Sequence, residues 1–79
     1  MNTLNQLQPG ETVIVTRVLG KNEVKKRILD MGIIKGAQIE VIKKAPLGDP
    51  VEIKIKGYNL SLRNTEAALV EVCKKGELS

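Results

Sequence analysis

The run "VEIKIKGYNLSL", residues 51–62, decides the fold of this chain. Apolar residues alternate with charged or polar residues on both sides of Gly57, and this period of two is typical of strands with one buried face. The apolar set comprises Val51, Ile53, Ile55, Tyr58, Leu60 and Leu62. Because Gly57 permits a tight turn, the two runs together predict a β-hairpin.

Weaker strand patterns lie on both sides of this hairpin. Residues 13–18 and 37–42 are rich in Val and Ile, and residues 69–73 form a last apolar run. Asn22 is a candidate N-cap for one helix over about residues 22–31, which Gly32 ends. Short helical turns are predicted after Thr3 near the N-terminus and after Asn64 before the last strand.

These elements predict a mainly β fold. Five short antiparallel strands in a small chain best satisfy their edges by curling into a barrel, with the one helix inserted after the first strand. The chain has 79 residues, which predicts a single domain over residues 1–79 with a small aliphatic core and no deep cleft.

Composition excludes several kinds of chemistry. The chain has no His, and Cys73 is its only cysteine, so we expect no catalytic residue, no disulfide and a reducing, cytoplasmic location. The nine acidic residues are scattered, so we expect neither a metal site nor a cofactor. No apolar run approaches the roughly 20 residues that a membrane-spanning helix requires.

The net charge of +4 keeps nucleic-acid binding open as an alternative. Tyr58 is the single aromatic residue, however, and barrels that bind single strands stack bases on several aromatic rings. Lys25, Lys26 and Arg27 form the densest basic cluster and could instead speed the encounter with an acidic protein or with the inner face of the plasma membrane.

Two apolar segments are candidates for protein docking. In the first, Leu29 and Met31 at the helix end run directly into Ile33 and Ile34, which are either core residues or part of an exposed patch. In the second, residues 46–50, two prolines enclose Leu47 at a predicted exposed tip. This segment is either a simple crossover between strands or a surface that a partner binds.

Four segments give the chain a family resemblance. In order, "LQPGE", "RILDMGIIKG", "APLGDPVEIKIKGYNLSLR" and "EAALVEV" resemble the FeoA family, the small cytosolic component of bacterial ferrous-iron uptake. The helix-to-turn motif of the family falls on Leu29, Asp30, Met31, Gly32 and Gly36. Its loop motif falls on Ala45, Pro46, Leu47, Gly48, Asp49 and Pro50.

The resemblance implies a five-stranded SH3-like barrel, similar to the C-terminal domain of iron-dependent repressors. It also implies a family-level link to transition metal ions and a partner, FeoB, a membrane iron transporter with a cytoplasmic GTPase domain. Contact with FeoB would then use Leu47, Gly48, Asp49 and Pro50 together with the segment near Met31. Self-association, a nucleic-acid-binding barrel and an Fe(II)-sensing module remain alternatives.

Overall fold

The computed structural model describes residues 2–75 and confirms the mainly β fold. Its strands are β1 (Asn2–Thr3), β2 (Thr12–Val18), β3 (Gln38–Lys44), β4 (Val51–Ile55), β5 (Tyr58–Leu62) and β6 (Val70–Lys74). Its α-helices are α1 (Asn22–Asp30) and α2 (Asn64–Ala67), and a 3-10 turn spans Leu4–Gln6. The predicted inserted helix and both predicted helical turns are therefore present.

The strands form one antiparallel sheet in the order β1-β6-β2-β3-β4-β5. The sheet has one strand more than the five predicted, because Asn2 pairs with Val72 and the two-residue strand β1 lies beside β6. Bulges between Val15 and Arg17 and between Val41 and Lys43 bend the long strands. No ladder joins β5 to β1 within residues 2–75, so the curved sheet is not closed and β5 is a free edge.

The predicted hairpin is formed by β4 and β5. Val51, Ile53 and Ile55 are almost completely buried, whereas Lys54 between them is exposed. Lys56 and Gly57 make the two-residue turn with φ values of 51° and 84°. Positive φ at both turn positions matches the right-handed twist of the strands, so this turn fixes the register that buries the apolar face.

Helix α1 contributes one fully buried side chain, Ile28, to the core, with Leu29 partly buried beside it. The sequence predicted Asn22 as the N-cap of α1, but Lys21 occupies that position. Asn22 instead has a φ of 48°, in the left-handed region that Asn tolerates better than most residues. Among residues 2–75, no helix has the length and apolar character needed to cross a membrane.

Candidate protein-docking surface

The segment between β3 and β4, residues 45–50, is closed by its own backbone. The amide of Ala45 donates to the carbonyl of Pro50 at 3.1 Å, and the amide of Gly48 donates to the carbonyl of Ala45 at 2.7 Å. Gly48 has a φ of 80°, a conformation that Gly adopts without steric cost. Residues 45–50 are therefore an ordered turn, which we call the Leu47 loop.

Asn64, the first residue of α2, holds the Leu47 loop from outside. Its backbone amide donates to Asp49 Oδ1 at 3.0 Å, and its side-chain Nδ2 donates to the carbonyl of Gly48 at 3.1 Å. Leu47 lies at the tip with 95% of its surface exposed. Exposing a large apolar side chain to this extent does not stabilise the fold, so folding alone gives no reason for a leucine here.

The end of α1 is held by the β-hairpin. The Tyr58 hydroxyl donates to the carbonyl of Met31 at 2.8 Å. A Cβ atom on Gly32 would lie 3.0 Å from the same hydroxyl, and Gly32 has a φ of 90°. The glycine that follows Met31 is thus required twice, for its backbone conformation and for the close approach of Tyr58.

The apolar segment after α1 divides between core and surface. Ile33 has no exposed area, so the core alternative is the correct one, and its side chain is not available for direct contact with a partner. Leu29 and Met31 are partly buried and pack against the core. Ile34 has 45% of its surface exposed, so it is the residue of this segment that forms an exposed apolar patch.

The basic cluster on α1 has two roles. Arg27 Nη2 donates to Glu66 Oε2 at 2.6 Å, and the Glu66 side chain is only 12% exposed. Glu66 Oε1 also accepts a hydrogen bond from the backbone amide of Arg63, the N-cap residue of α2, at 3.1 Å. Arg27 therefore joins the two helices, and Lys25 and Lys26 are the members of the cluster left for long-range attraction.

A shallow groove beside α1 extends this positive charge. It has a volume of about 390 Å³ and is lined by Thr16, Arg17, Val18, Lys25, Leu29 and Lys35. Its three cations come from β2, α1 and the segment before β3, and among residues 2–75 no acidic residue lines it. Of the Lys25-Lys26-Arg27 run, Lys25 is thus the member that lines this groove, together with Arg17 and Lys35.

The two candidate segments lie at opposite ends of β5. Tyr58, at the start of the strand, contacts Met31, whereas Leu62, at its end, pairs with Val51 directly after the Leu47 loop. Four residue steps separate Tyr58 from Leu62, which is about 13 Å along an antiparallel strand. The structure therefore does not merge the two segments into one patch, but β5 connects them.

Metal-ligating side chains do not converge in the part of the chain described. Residues 2–75 contain no cluster of three or more Cys, Asp and Glu side chains that could hold a metal ion. Cys73 is half-buried in β6. The features that stand out are an exposed apolar tip on an ordered loop, a partly exposed helix end and a positively charged groove.

The fold and its two motifs belong to a known family. The family model described as "FeoA domain" matches residues 2–74, and the chain belongs to the FeoA family. This finding confirms the resemblance noted in the sequence.

Relatives of known name agree with the assignment. An Fe(2+) transport protein A/Fe(2+) transporter FeoB fusion protein of Porphyromonas gingivalis is 45% identical over 69 residues, which are 87% of this chain but 8% of the fusion protein. The solution structure of a FeoA-like protein from Clostridium acetobutylicum is 36% identical, covers 95% of this chain and 91% of that chain, and has a TM-score of 0.84.

The SH3-like description of the fold also has a solved counterpart. FeoA of Stenotrophomonas maltophilia, crystallised with zinc and described as a prokaryotic SH3 domain protein, is 25% identical over 92% of this chain and 91% of that chain, with a TM-score of 0.82. A manganese-dependent transcriptional repressor is 16% identical with a TM-score of 0.84, covering 92% of this chain and 41% of that chain, and shares the fold.

Proposed function

We propose that this protein is an accessory or regulatory component of Fe(II) uptake that docks on the cytoplasmic part of the FeoB transporter. The observation that carries the proposal is Leu47, 95% exposed at the tip of a loop that Asn64 fixes in place. An exposed apolar side chain on an ordered loop loses little conformational entropy on binding and can enter a pocket of a partner.

The P. gingivalis relative supports FeoB as that partner. In that protein a FeoA part and an FeoB part share one polypeptide, which keeps the two at high effective concentration. A separate chain needs a contact surface to achieve the same proximity, and the Leu47 loop with Met31 and Leu29 is our proposal for it. Gly48, Asp49 and Pro50 contribute by holding Leu47 outward.

Positive charge on and beside α1 supports steering of this protein toward FeoB. Lys25 and Lys26 are exposed on α1, and the groove beside them adds Arg17 and Lys35. Such a surface accelerates association with an acidic protein surface more than it increases final affinity. We propose that these lysines steer the protein to an acidic region of FeoB at the inner face of the membrane.

Calorimetric titration of the full-length transporter with this protein tests the proposal. Leu47→Asp should weaken binding at least tenfold, because a charged carboxylate would have to be desolvated in an apolar pocket. Met31→Asp tests the second segment in the same way. Ile42→Asp is the matched control, since Ile42 is also an exposed apolar residue, at 37%, but lies on β3. Equal binding by Leu47→Asp and the control would remove the loop from the proposal.

Activity measurements then give the direction of regulation. GTP hydrolysis and Fe(II) uptake by reconstituted FeoB are compared with and without this protein, and with the Leu47→Asp variant at the same concentration. An effect that disappears in the variant assigns regulation to docking. No change in either activity at saturating protein would contradict a regulatory role.

A further inference from the structure

We propose that the free edge of β5 binds an extended acidic segment of the partner as an additional strand, between the Leu47 loop and Met31. This inference rests on the proposed function and deepens it, because it gives one contact that reaches both candidate segments. Adding a strand to an exposed sheet edge is a recurrent mode of peptide recognition, in which main-chain hydrogen bonds supply much of the affinity.

The hairpin register shows which backbone groups are free. Only Lys56 and Gly57 separate Ile55 from Tyr58, so these two flanking residues exchange backbone hydrogen bonds and the pattern alternates along the strands. Asn59 and Ser61 consequently direct their N–H and C=O groups away from β4. Within residues 2–75 no hydrogen bond reaches the backbone of either residue on that side.

This edge lacks the usual protection against pairing. Exposed edges are commonly blocked by charged side chains, proline, bulges or a covering element. Residues 58–62 contain no charge and no proline, their ladder with β4 has no bulge, and Asn59 and Ser61 are exposed. The opposite edge, β1, has only two residues, so β5 is the longer of the two edges that the described sheet offers.

The surrounding charges favour an acidic occupant over a second copy of this chain. Lys54, Lys56 and Arg63 are exposed around the edge. Glu52, the acid on β4, is already paired with Lys43 at 3.3 Å. Glu40 lies opposite Lys54 on β3, two strands from the edge, so Lys56 and Arg63, directly beside β5, carry the charge argument. A second copy would bring the same cations against this surface, whereas a segment with carboxylates on its outer face would neutralise them.

The two faces of β5 specify the side chains of the added strand. Tyr58, Leu60 and Leu62 lie on the inner face, where Leu60 is half-buried against the core. Side chains of a paired strand that point to this face should be apolar. Those on the outer face, beside Asn59 and Ser61, should be acidic, so the expected segment alternates apolar and acidic residues.

Two binding experiments test this assignment. The probes are full-length FeoB and a capped seven-residue peptide that alternates Glu and Val; a peptide that alternates Lys and Val is the charge control. In ¹⁵N-labelled protein, the acidic peptide should shift the amide resonances of Asn59 and Ser61 and slow their hydrogen exchange, and the basic peptide should do neither. Unaltered exchange at both amides would overturn the inference.

Proline substitution separates the backbone from the side chain. Asn59→Pro and Ser61→Pro each remove an outward N–H, which an edge strand tolerates, and each should weaken binding of both probes by about tenfold. Asn59→Ala and Ser61→Ala are the matched controls and should bind as the wild type does, because they keep both N–H groups. Thermal unfolding identifies any variant that has lost the fold.

The outcomes distinguish this inference from the proposed function. If FeoB binds the proline variants as tightly as the wild type but no longer binds the Leu47→Asp variant, the edge assignment is overturned and the docking proposal stands. If the wild type does not bind FeoB, the docking proposal fails, and with it this inference. A dimer in sedimentation that Asn59→Pro abolishes would assign the edge to a second copy and overturn the acidic partner strand.

Discussion

Arg27 Nη2 lies 2.6 Å from Glu66 Oε2, and this ion pair fastens α1 to α2 across 39 residues of sequence. The Glu66 carboxylate is largely withdrawn from water, and its other oxygen accepts the amide of Arg63. Arg27→Ala leaves the Oε2 side of this carboxylate without its cation. We expect a loss of about 1 kcal/mol in the free energy of unfolding, a value that allows for the exposure of Arg27.

Urea denaturation measures that loss, and Lys26→Ala is the control because Lys26 is exposed on the same helix. In a domain of this size about 1 kcal/mol corresponds to a decrease of roughly 4–8 °C in Tm. Equal stability of the two variants would show that the pair contributes nothing to the fold.

Gly32 and Tyr58 should be coupled in a double-mutant cycle. Gly32→Ala introduces a side chain at φ 90° and a Cβ 3.0 Å from the Tyr58 hydroxyl, so both conformation and contact oppose it. Tyr58→Phe removes the hydroxyl, and Gly32→Ala should then cost less than in the wild type. Thermal denaturation of the four proteins gives the coupling energy.

The matched control for this cycle is Gly36→Ala. Gly36 has the same φ of 90°, but a Cβ there would meet nothing within 4 Å, so the substitution carries only the conformational cost of about 1–2 kcal/mol. Additive effects of Gly32→Ala and Tyr58→Phe would contradict the close contact.

The neighbours Ile33 and Ile34 should respond very differently to truncation. Ile33→Ala empties a fully buried site and should cost about 2–5 kcal/mol, whereas Ile34→Ala should cost less than about 1 kcal/mol because Ile34 is 45% exposed. Chemical denaturation compares the two. Similar losses would mean that Ile33 does not lie in the core.

Removing the Asn64 side chain should loosen the Leu47 loop. Asn64→Ala deletes the 3.1 Å hydrogen bond to the carbonyl of Gly48, worth about 1 kcal/mol, and the longer 3.4 Å bond from Asn5 Nδ2. It keeps the backbone bond to Asp49. We expect faster hydrogen exchange at the Gly48 amide and weaker binding to FeoB with Leu47 itself unchanged. Asn59→Ala is the control, and unchanged exchange in Asn64→Ala would argue that the loop holds itself.

Replacing Lys25 and Lys26 by Ala should slow association with FeoB without changing stability. The effect should be largest at low ionic strength and nearly vanish at 0.5 M salt, where the Debye length is only about 4 Å. Stopped-flow or surface-binding kinetics at several salt concentrations measure it. A change confined to the dissociation rate would contradict steering.

The hairpin could be predicted from sequence because its side-chain period and its turn residue agree with each other. The sixth strand could not, because the pairing of Asn2 with Val72 is a long-range contact with only two residues of local pattern. The open edge at β5 could not be predicted from local sequence patterns either, because closure of the sheet depends on how far it bends at its two bulges.

For the candidate surface, the two prolines predicted the position of Leu47 correctly but not what holds the loop. Asn64 is 15 residues from Asp49, and its sequence context predicted only the cap of a short helix, a position that Arg63 occupies instead. The pairing of Glu66 with Arg27, a cation from another helix, could not be predicted from the sequence, and it removes Arg27 from the free charges. The burial of Ile33 could not be predicted from its apolar neighbours, because an apolar run after a helix has the same composition whether its residues are buried or exposed.

Asn64 also has a mechanical consequence. Its amide bonds the Asp49 side chain and its side chain bonds the Gly48 carbonyl, while its backbone begins α2, so a shift of the loop at Gly48 and Asp49 must either break these two bonds or move α2. Motion of α2 would pull on Glu66 and, through Arg27, on α1. One continuous chain of hydrogen bonds and an ion pair therefore connects the Leu47 loop through α2 to α1.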